Sequence, residues 1–396
     1  MQRSEFIKLC GLLGISLPFQ SVISSCSSSN INGNSNSNPP ESVIIIGAGA
    51  AGMVAGHLLA QQGINFQILE ASSTYGGRMK QNTTFANFPI PLGAEWLHIP
   101  PTIFSEIVNN SSVQINTNTV GYDSNTDYGI DAETGGQISL SDLEVIIDRK
   151  FVGSTWFEFF ETYVLPSVQS NIIYNSPINT IDYSGNEVLV TDINGQEFSA
   201  EKVIVTIPVK IIQNGFVSFT PQLPSNKQNA INNVSVWNGC KAFIEFSNKF
   251  YPAFISYTTT PESAGQKLYY DASYGQNTSQ HILGLFAVGI EADTYINQST
   301  DSDLITFMLN ELDQVFGNNI ASSSYIKHTF QNWNAEPFAN GAYLYDYENS
   351  NRVARLGASV NNKLYFAGEA YTTGNDWGSV HAAARSAKRA IEEMLS

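Results

Sequence analysis

Three glycines and one carboxylate near the start of the chain have the types and spacing that bind a dinucleotide. Gly47, Gly49 and Gly52 follow an apolar run at residues 43–46, and Glu70 follows a second apolar run. In such a series the first glycine permits a tight turn, the second lets the backbone approach a pyrophosphate, and the third lets a helix pack on the strand. The helix N-terminus then faces the phosphates, and the acid accepts a ribose hydroxyl. This complete order favours dinucleotide binding over a chance glycine-rich turn.

A second motif follows Glu70 directly. Ala71, Gly76, Gly77 and Arg78 complete the string E-A-x(4)-G-G-R, which resembles FAD enzymes of the amine oxidase superfamily rather than NAD dehydrogenases. In that family the glycine pair gives backbone access to the cofactor, and the arginine meets its phosphate region. A turn followed by a solvated arginine is the structural alternative.

Three later stretches resemble the other FAD-binding segments of the same family. Residues 88–98 match the consensus (D/E)-x-G-A-x-W, except that Pro91 replaces the acid; residues 203–208 match V-I-x-T-x-P, and residues 367–369 match A-G-(E/D). The resemblance also implies that the backbone at Ile178 meets the adenine. The residues that it implies for FAD binding are Gly47, Gly49, Ala51, Gly52, Glu70, Ala71, Gly77, Arg78, Gly93, Ala94, Glu95, Trp96, Ile178, Pro208, Gly368, Glu369 and Val380.

Lys241 is the first catalytic candidate. It lies in the string G-C-K-A-F-I-E-F, and Phe250 and Tyr251 follow at the spacing seen in family members. A lysine at this place in the family reaches the flavin N5 through a water molecule. Strand alternation puts Lys241 on the face of Phe243 and Glu245. A solvated lysine at a strand end is the alternative.

Tyr343 is the second catalytic candidate. Trp333, Pro337, Gly341, Ala342 and Tyr343 have the spacing of a family motif that precedes the last FAD segment. The resemblance implies that Tyr343 forms one wall of an aromatic cage that holds the amine over the flavin; a core tyrosine with a satisfied hydroxyl is the alternative. Because some members attach FAD through a cysteine at the position of Ala342, the alanine implies non-covalent FAD.

The resemblance also implies four substrate-binding residues. Ser379 occupies the position of the second aromatic cage wall of many members, and Trp377 is expected to fill part of that space. Glu95 sits where several polyamine-oxidising members have His or Asn, and an acid there suits a second amine; a carboxylate satisfied by backbone N–H groups is the alternative. His98 sits where others have an acid that binds the distal nitrogen. His381 is expected only near the cofactor, because an isolated histidine is a weak catalytic signal.

The first 26 residues have the features of an export signal. Arg3 and Lys8 precede an apolar stretch over residues 9–23, which is too short and interrupted to span a bilayer. The string I-S-S-C ending at Cys26 resembles the lipobox of bacterial lipoproteins, and the polar tract after it is typical of a disordered tether. An ordinary secretory signal with an incidental cysteine is the alternative. Residues 3–8 also resemble a twin-arginine motif with one arginine replaced, so both export routes stay open.

The resemblance implies a two-domain α/β flavoprotein. The chain has 396 residues, 42% of them hydrophobic, and its net charge of −16 argues against nucleic acid as a partner. We expect a discontinuous Rossmann-like FAD domain and a substrate domain with a mixed sheet and helices. The predicted divisions are a signal peptide (residues 1–26), a linker (27–40), FAD-binding parts one (41–100), two (171–212) and three (341–396), and a substrate domain with a helical part (101–170) and a main part (213–340).

Several elements of the substrate domain are predicted from hydrophobic periodicity. The predicted helices cover residues 141–152, 156–165 and 301–316, and the predicted strands cover residues 240–246, 268–271, 282–288 and 324–331.

The resemblance covers nearly all of residues 40–396 and implies oxidation of a C–N bond. The substrate is a primary or secondary amine (a monoamine, a polyamine or an amino acid), the product is an imine, and O2 reoxidises FAD to give H2O2. No metal-ligand cluster is evident in the sequence. Two other classes stay open: a related FAD-dependent C–C dehydrogenase, against which Lys241 and Tyr343 argue, and a non-catalytic flavin-binding protein of the cell envelope.

Replacing Cys26 with alanine tests the expected location on the periplasmic side of a bacterial membrane, attached to the outer membrane. The multiple acyl chains of a lipoprotein cysteine anchor stably, whereas one chain anchors only marginally. Cys26→Ala should therefore move the protein from the membrane pellet to the soluble fraction with an unchanged flavin spectrum. A mutant that still pellets, or a wild type that is already soluble, would contradict the anchor.

Overall fold

The computed structural model describes residue 40, residues 42–258 and residues 265–396. The predicted signal peptide, with Cys26, and the predicted linker up to residue 39 lie outside the described residues. Among the helices that are described, none is long and apolar enough to cross a membrane.

The longest of the described strands, with seven to nine residues, are in the substrate part. In chain order, the strands are β1 (Val43–Ile46), β2 (Phe66–Leu69), β3 (Gln81–Asn82), β4 (Ile90–Pro91), β5 (Thr119–Gly121), β6 (Gly129–Asp131), β7 (Gln137–Ile138), β8 (Arg149–Phe151), β9 (Ile172–Ile173), β10 (Ile178–Asp182), β11 (Val188–Asp192), β12 (Glu197–Ala200), β13 (Lys202–Val205), β14 (Ser218–Thr220), β15 (Gly239–Phe246), β16 (Phe254–Ser256), β17 (Gly265–Asp271), β18 (His281–Gly289), β19 (Tyr325–Asn332) and β20 (Leu364–Phe366).

The α-helices alternate with these strands. They are α1 (Ala50–Gln61), α2 (Thr102–Val108), α3 (Trp156–Tyr163), α4 (Val209–Gln213), α5 (Ser225–Asn233), α6 (Ile290–Ile296), α7 (Asp301–Phe316), α8 (Ile320–Ser324), α9 (Ser350–Gly357) and α10 (Val380–Leu395).

The FAD-binding part is built on a parallel sheet with the strand order β20-β13-β1-β2-β9. Its strands come from three separated stretches of the chain, because β1 and β2 precede β9 and β13 by about a hundred residues and β20 follows far later. Parallel neighbours need a crossover connection, and α1 provides the one between β1 and β2. This discontinuous α/β architecture confirms the predicted fold class.

Both faces of the parallel sheet are buried. Val43 and Ile45 point into a core that includes residues of α1, α3 and α10, whereas Ile44 and Ile46 point into a second core with residues of β10–β13 and α9. Double burial explains why β1 is a continuous apolar run rather than an alternating one. Because α1 and α10 pack against each other on the first face, the first and last FAD segments meet there.

The substrate part contains a mixed sheet with the order β19-β15-β18-β17-β16-β6-β7. One face packs against α6, α7 and α8 through residues of β15 such as Cys240 and Ala242. Phe243 of the same strand belongs to the opposite core, together with Ile90 of the first FAD segment. The alternation predicted for β15 is therefore present, and it turns Lys241 toward that segment.

The predicted helix over residues 141–152 is wrong. The chain there forms turns and then β8, and Glu144 has a left-handed φ of 58° that interrupts a helix. Asp148 and Lys150 instead point inward to polar partners on the loop that follows β4. The region 101–170, predicted to be helical, consequently contains α2 and α3 but also β5–β8, two of which join the mixed sheet.

Candidate active site

A continuous cleft of about 2390 Å³ runs between the parallel sheet and the mixed sheet. Its volume exceeds the roughly 1,000 Å³ upper limit of ordinary small-molecule sites, so it has room for a dinucleotide together with a substrate. Every residue predicted from the sequence for the site lines this cleft except Gly52. In the part of the chain that the structure describes, no group of His, Cys, Asp or Glu residues is arranged to hold a metal ion.

The glycine turn has the close backbone approach that its sequence predicts. Gly47 has a φ of +106°, and a Cβ on Gly52 would lie 1.9 Å from the carbonyl oxygen of Gly47. Only glycine at position 52 lets α1 come this near to β1. A Cβ on Gly49 would meet nothing within 4 Å, because Gly49 borders the cleft where α1 begins. The first N–H groups of a helix lack intrahelical partners, so this end of α1 suits a pyrophosphate.

Glu70 lies beside the turn at the end of β2. Its carboxylate accepts hydrogen bonds from the N–H groups of Ala48 at 2.6 Å and Ser72 at 2.9 Å. Next to it, the N–H of Ser176 donates to the Glu70 carbonyl. Ser176 lines the cleft, and its buried hydroxyl has no hydrogen-bond partner among the described residues. A buried unpaired hydroxyl is a place for a polar ligand group. The glycine turn, the fixed carboxylate and this hydroxyl together fit FAD.

Arg78 joins the first and last FAD segments. Its guanidinium lies 3.0 Å from a carboxylate oxygen of Glu369 and donates to the carbonyl of Ala342 at 2.5 Å. The other oxygen of Glu369 accepts the N–H of Leu344 at 3.3 Å. The arginine is therefore held in the cleft wall by protein groups, which excludes the solvated arginine of the structural alternative.

The loop that follows β4 packs directly on Arg78. The N–H of Ala94 donates to the Arg78 carbonyl at 3.1 Å, and a Cβ on Gly93 would lie 1.9 Å from the same oxygen. The indole N–H of Trp333 donates to the carbonyl of Leu92 at 3.0 Å. Glycine at position 93 is thus required for the close contact that fixes the direction of the next residues of the loop.

Lys241 is buried in the cleft wall and its hydrogen-bond donors are occupied. Its Nζ lies 2.5 Å from Oε2 of Glu95, 3.1 Å from the carbonyl of Pro91 and 3.2 Å from the carbonyl of Gly93. An ammonium group has three donors, so each has a protein acceptor. This burial excludes the solvated lysine, and it differs from the expectation that a donor of Lys241 holds a water at the flavin.

Glu95 forms the centre of a buried cluster rather than an open site for a second amine. Besides Lys241, its carboxylate contacts the Lys150 ammonium at 3.5 Å and accepts the hydroxyl of Tyr270. Burial raises the pKa of Glu95, but the charges of Lys241 and Lys150 outweigh it, and the pKa lies below its usual value. The carboxylate is satisfied by side chains, so neither the predicted substrate contact nor the backbone N–H alternative describes it.

Tyr343 lines the cleft as one aromatic wall. Its ring packs edge-on against Trp237, with centroids 5.6 Å apart. A Cβ on Gly378 would lie 3.1 Å from the Tyr343 ring, so the chain before α10 lies directly beside it. Trp377 donates its indole N–H to the carbonyl of Tyr345 at 3.0 Å, which fixes it in the same wall.

Ser379 is the N-cap of α10 and also lines the cleft. Its Oγ accepts the N–H of Ala382 at 3.1 Å, the usual hydrogen bond of a serine N-cap.

His381, expected to lack an acid partner, has its Nε2 2.8 Å from Asp376. The sequence signal for this pair is weak, because the aspartate lies in an irregular loop before the helix rather than at a helical spacing.

His98 also has an acid partner that the sequence did not indicate. Its Nδ1 lies 2.9 Å from Oδ1 of Asp148, whose side chain is buried although both residues line the cleft. A carboxylate therefore lies beside position 98, although it comes from position 148. The pairing depends on the inward turn before β8, which the helix prediction for residues 141–152 concealed.

These features define a flavin-dependent oxidoreductase with a dinucleotide cradle and an adjoining aromatic pocket. A family model described as "Flavin containing amine oxidoreductase" matches residues 165–395, and one described as "NAD(P)-binding Rossmann-like domain" matches residues 45–109. The first match covers more than half of the chain. The chain belongs to the flavin containing amine oxidoreductase family, and it is an FAD-dependent amine oxidase.

Individual relatives span most of the chain at low identity. It is 24% identical to polyamine oxidase 4 of Oryza sativa subsp. japonica, over 89% of this chain and 88% of that protein. It is also 24% identical to lysine-specific histone demethylase 1B of Mus musculus, over 83% of this chain and 50% of that protein. Among solved structures, wild-type putrescine oxidase bound to putrescine has a TM-score of 0.70 and 14% identity, over 90% of this chain and 99% of that chain. That likeness shows the fold.

Replacing Gly49 with leucine tests the cofactor cradle. The new side chain has free space in the protein but would occupy the approach of the pyrophosphate, so Gly49→Leu should fold and lose FAD. Gly52→Ala is the matched contrast, because its Cβ meets backbone and overpacking costs about 1–3 kcal/mol of folding stability. Flavin absorbance after gel filtration and thermal unfolding of the apoprotein measure the two effects. A yellow Gly49→Leu protein would contradict this placement of FAD.

Proposed function

We propose that this protein oxidises an amine that carries a second cationic centre, such as a diamine or polyamine, to an imine with release of H2O2. The observation that carries the proposal is the charge of the cleft. Nine carboxylate residues and five lysine or arginine residues among the described residues line it. Six of the acids lie outside the FAD motifs: Asp142, Glu144, Asp148, Glu336, Asp346 and Asp376.

The acids of one loop line the cleft together. Asp142, Glu144 and Asp148 all come from the turns before β8. A cleft wall in which one sign of charge predominates concentrates ligands of the opposite sign. A protonated distal amine is the ligand that such a wall favours. The polyamine oxidase relative and the putrescine oxidase structure support the same class of substrate.

In this reaction the side chains of the protein bind and orient the substrate. Bound FAD would supply the redox chemistry, by which a hydride from the carbon beside the nitrogen and a proton from the nitrogen would pass to O2, so that amine plus O2 would give imine plus H2O2. The face of the Tyr343 ring orients the reacting nitrogen, and the acids of the loop before β8 hold the distal nitrogen. Trp96 and Phe286, whose ring centroids are 6.3 Å apart, form the apolar wall beside Lys241.

An anaerobic amine panel tests the proposed function. Purified holoenzyme is mixed under nitrogen with putrescine, spermidine, benzylamine and glycine, and flavin bleaching is followed at each concentration. We expect bleaching to be fastest with the two substrates that carry more than one amine, and H2O2 to appear in equal amount with imine-derived product in air. Flavin that stays oxidised with every amine would contradict the proposal and favour a non-catalytic flavin-binding protein.

The substitution Asp148→Asn tests where the distal ammonium group of the substrate binds. A hydrogen bond to a charged group contributes about 1.5–3 kcal/mol, so the variant should raise the KM for putrescine at least about tenfold and leave the KM for benzylamine nearly unchanged. Asp303→Asn, at an exposed site on α7, is the control for loss of one negative charge. Equal changes in KM for both amines in Asp148→Asn would show that Asp148 does not bind the distal nitrogen.

A further inference from the structure

Two buried lysines share one buried carboxylate in the wall of the cleft. Glu95, on the loop after β4, has Oε2 2.5 Å from Nζ of Lys241 on β15 and Oε1 3.5 Å from Nζ of Lys150 on β8. The side chains are only 3–4% exposed. Tyr270, on β17, donates its hydroxyl to Glu95, so four separate segments converge on one carboxylate.

The remaining donors of both ammonium groups are also accounted for. Lys241 donates to the carbonyls of Pro91 and Gly93. Lys150 donates to the carbonyls of Asp271 and Ala272, each at 2.9 Å. Each ammonium therefore has three acceptors for its three N–H groups. This complete set fixes the direction of both side chains.

The charges of the cluster do not cancel when both lysines are protonated. Two ammonium groups face one carboxylate, and the hydroxyl of Tyr270 is neutral because burial raises its pKa well above the usual value. An uncompensated buried charge is costly, and loss of one proton removes it. A lysine that loses its proton keeps two donors and gains one acceptor lone pair. In that state Nζ can accept a hydrogen bond, for instance from a water molecule.

Other titratable groups near the cluster have partners of their own. The Asp271 carboxylate is paired with Lys249 at 2.6 Å, and Asp148 is paired with His98. The hydroxyl of Tyr122 accepts the indole N–H of Trp96 at 3.3 Å. From β18 and β19, the residues paired with Lys241 are Phe286 and Gln331, neither of which titrates. Glu95 and Lys150 are thus the charged side chains in contact within the cluster.

We propose that Glu95 and Lys150 are positioning residues with opposite effects on Lys241: Glu95 keeps Lys241 protonated, and Lys150, by sharing Glu95, promotes loss of that proton. The proposal rests on the proposed function for its catalytic meaning, because Lys241 is the lysine implied to act beside the flavin. The direction of the effects on the pKa of Lys241 agrees with the contacts described above. Burial lowers the pKa of Lys241, the charge of Glu95 raises it, and the charge of Lys150 lowers it.

The titration of Lys241 measures both effects directly. Holoenzyme labelled with ¹³C at the lysine side chains is followed by NMR against pH, and Lys241→Met identifies the resonance of Lys241. Glu95→Gln should lower the midpoint by about one pH unit or more, the size expected for loss of a neighbouring opposite charge. Lys150→Met should raise the midpoint, and Lys150→Arg, which keeps the charge, should leave it near the wild-type value.

Lys227→Met is the matched control for removal of a buried lysine. Lys227 is buried, donates to the carbonyls of Leu356 and Ala358 at 2.5 Å, and does not line the cleft. Its loss should not move the Lys241 midpoint. The pH at half-maximal bleaching rate should move in the same directions as the NMR midpoint. If Glu95→Gln does not fold, Glu95→Asp, which keeps the charge, should stay near wild type and Lys150→Met carries the test.

Two results would overturn the inference. An unchanged or lowered midpoint in Lys150→Met would show that Lys150 serves only to hold the carbonyls of β17. A Lys241 midpoint that is unchanged in Glu95→Gln would show that the carboxylate does not control its proton. Because NMR requires no turnover, both results are distinct from failure of the amine panel, which bears on the proposed function alone.

Discussion

The structure depends on the approach of one helix to one strand. At Gly52 the backbone of α1 comes so close to the carbonyl of Gly47 that a methyl group would lie 1.9 Å from it. This contact directs the start of α1 toward the cleft and sets its opposite end against β2. Because α10 packs on α1, the same constraint places the last FAD segment beside the first. The cofactor cradle is therefore a consequence of backbone geometry before any side chain contributes.

The second determinant is a pair of ionic links that cross between segments. Arg78 and Glu369 connect the first FAD segment to the last. Glu95 connects the first segment to the mixed sheet through Lys241 and to β8 through Lys150. Buried ion pairs lose solvation energy when they form, so they add direction more than stability. Here they fix the loop after β4 between the two sheets. The substrate pocket forms where this loop, Tyr343 and the turns before β8 meet.

The features that the sequence predicted well are those set by local geometry. The glycine turn depends on residues within one βαβ unit. The bounds of α7 coincide with the predicted 301–316, because its apolar period is regular and Thr300 caps its first turn. The features that sequence reasoning missed, such as the contacts of Lys150 and Asp148, join residues 50 or more positions apart or replace a local helical pattern with turns. The hydrophobic periodicity of a sequence cannot predict such pairings, because two charges attract through space whatever their separation in the chain.

The order of strands also determines when during synthesis the cofactor site can exist. The parallel sheet begins with β1 and is closed at one edge by β20, and α10, the last helix, covers the face on which α1 lies. Contacts between the ends of a chain carry a large loop-closure cost and slow folding. A nascent chain from which α10 has not yet emerged still lacks the layer that covers α1. FAD capture is thus coupled to the synthesis of α10, and a chain that ends before α10 would expose an apolar helix face instead of a flavin site.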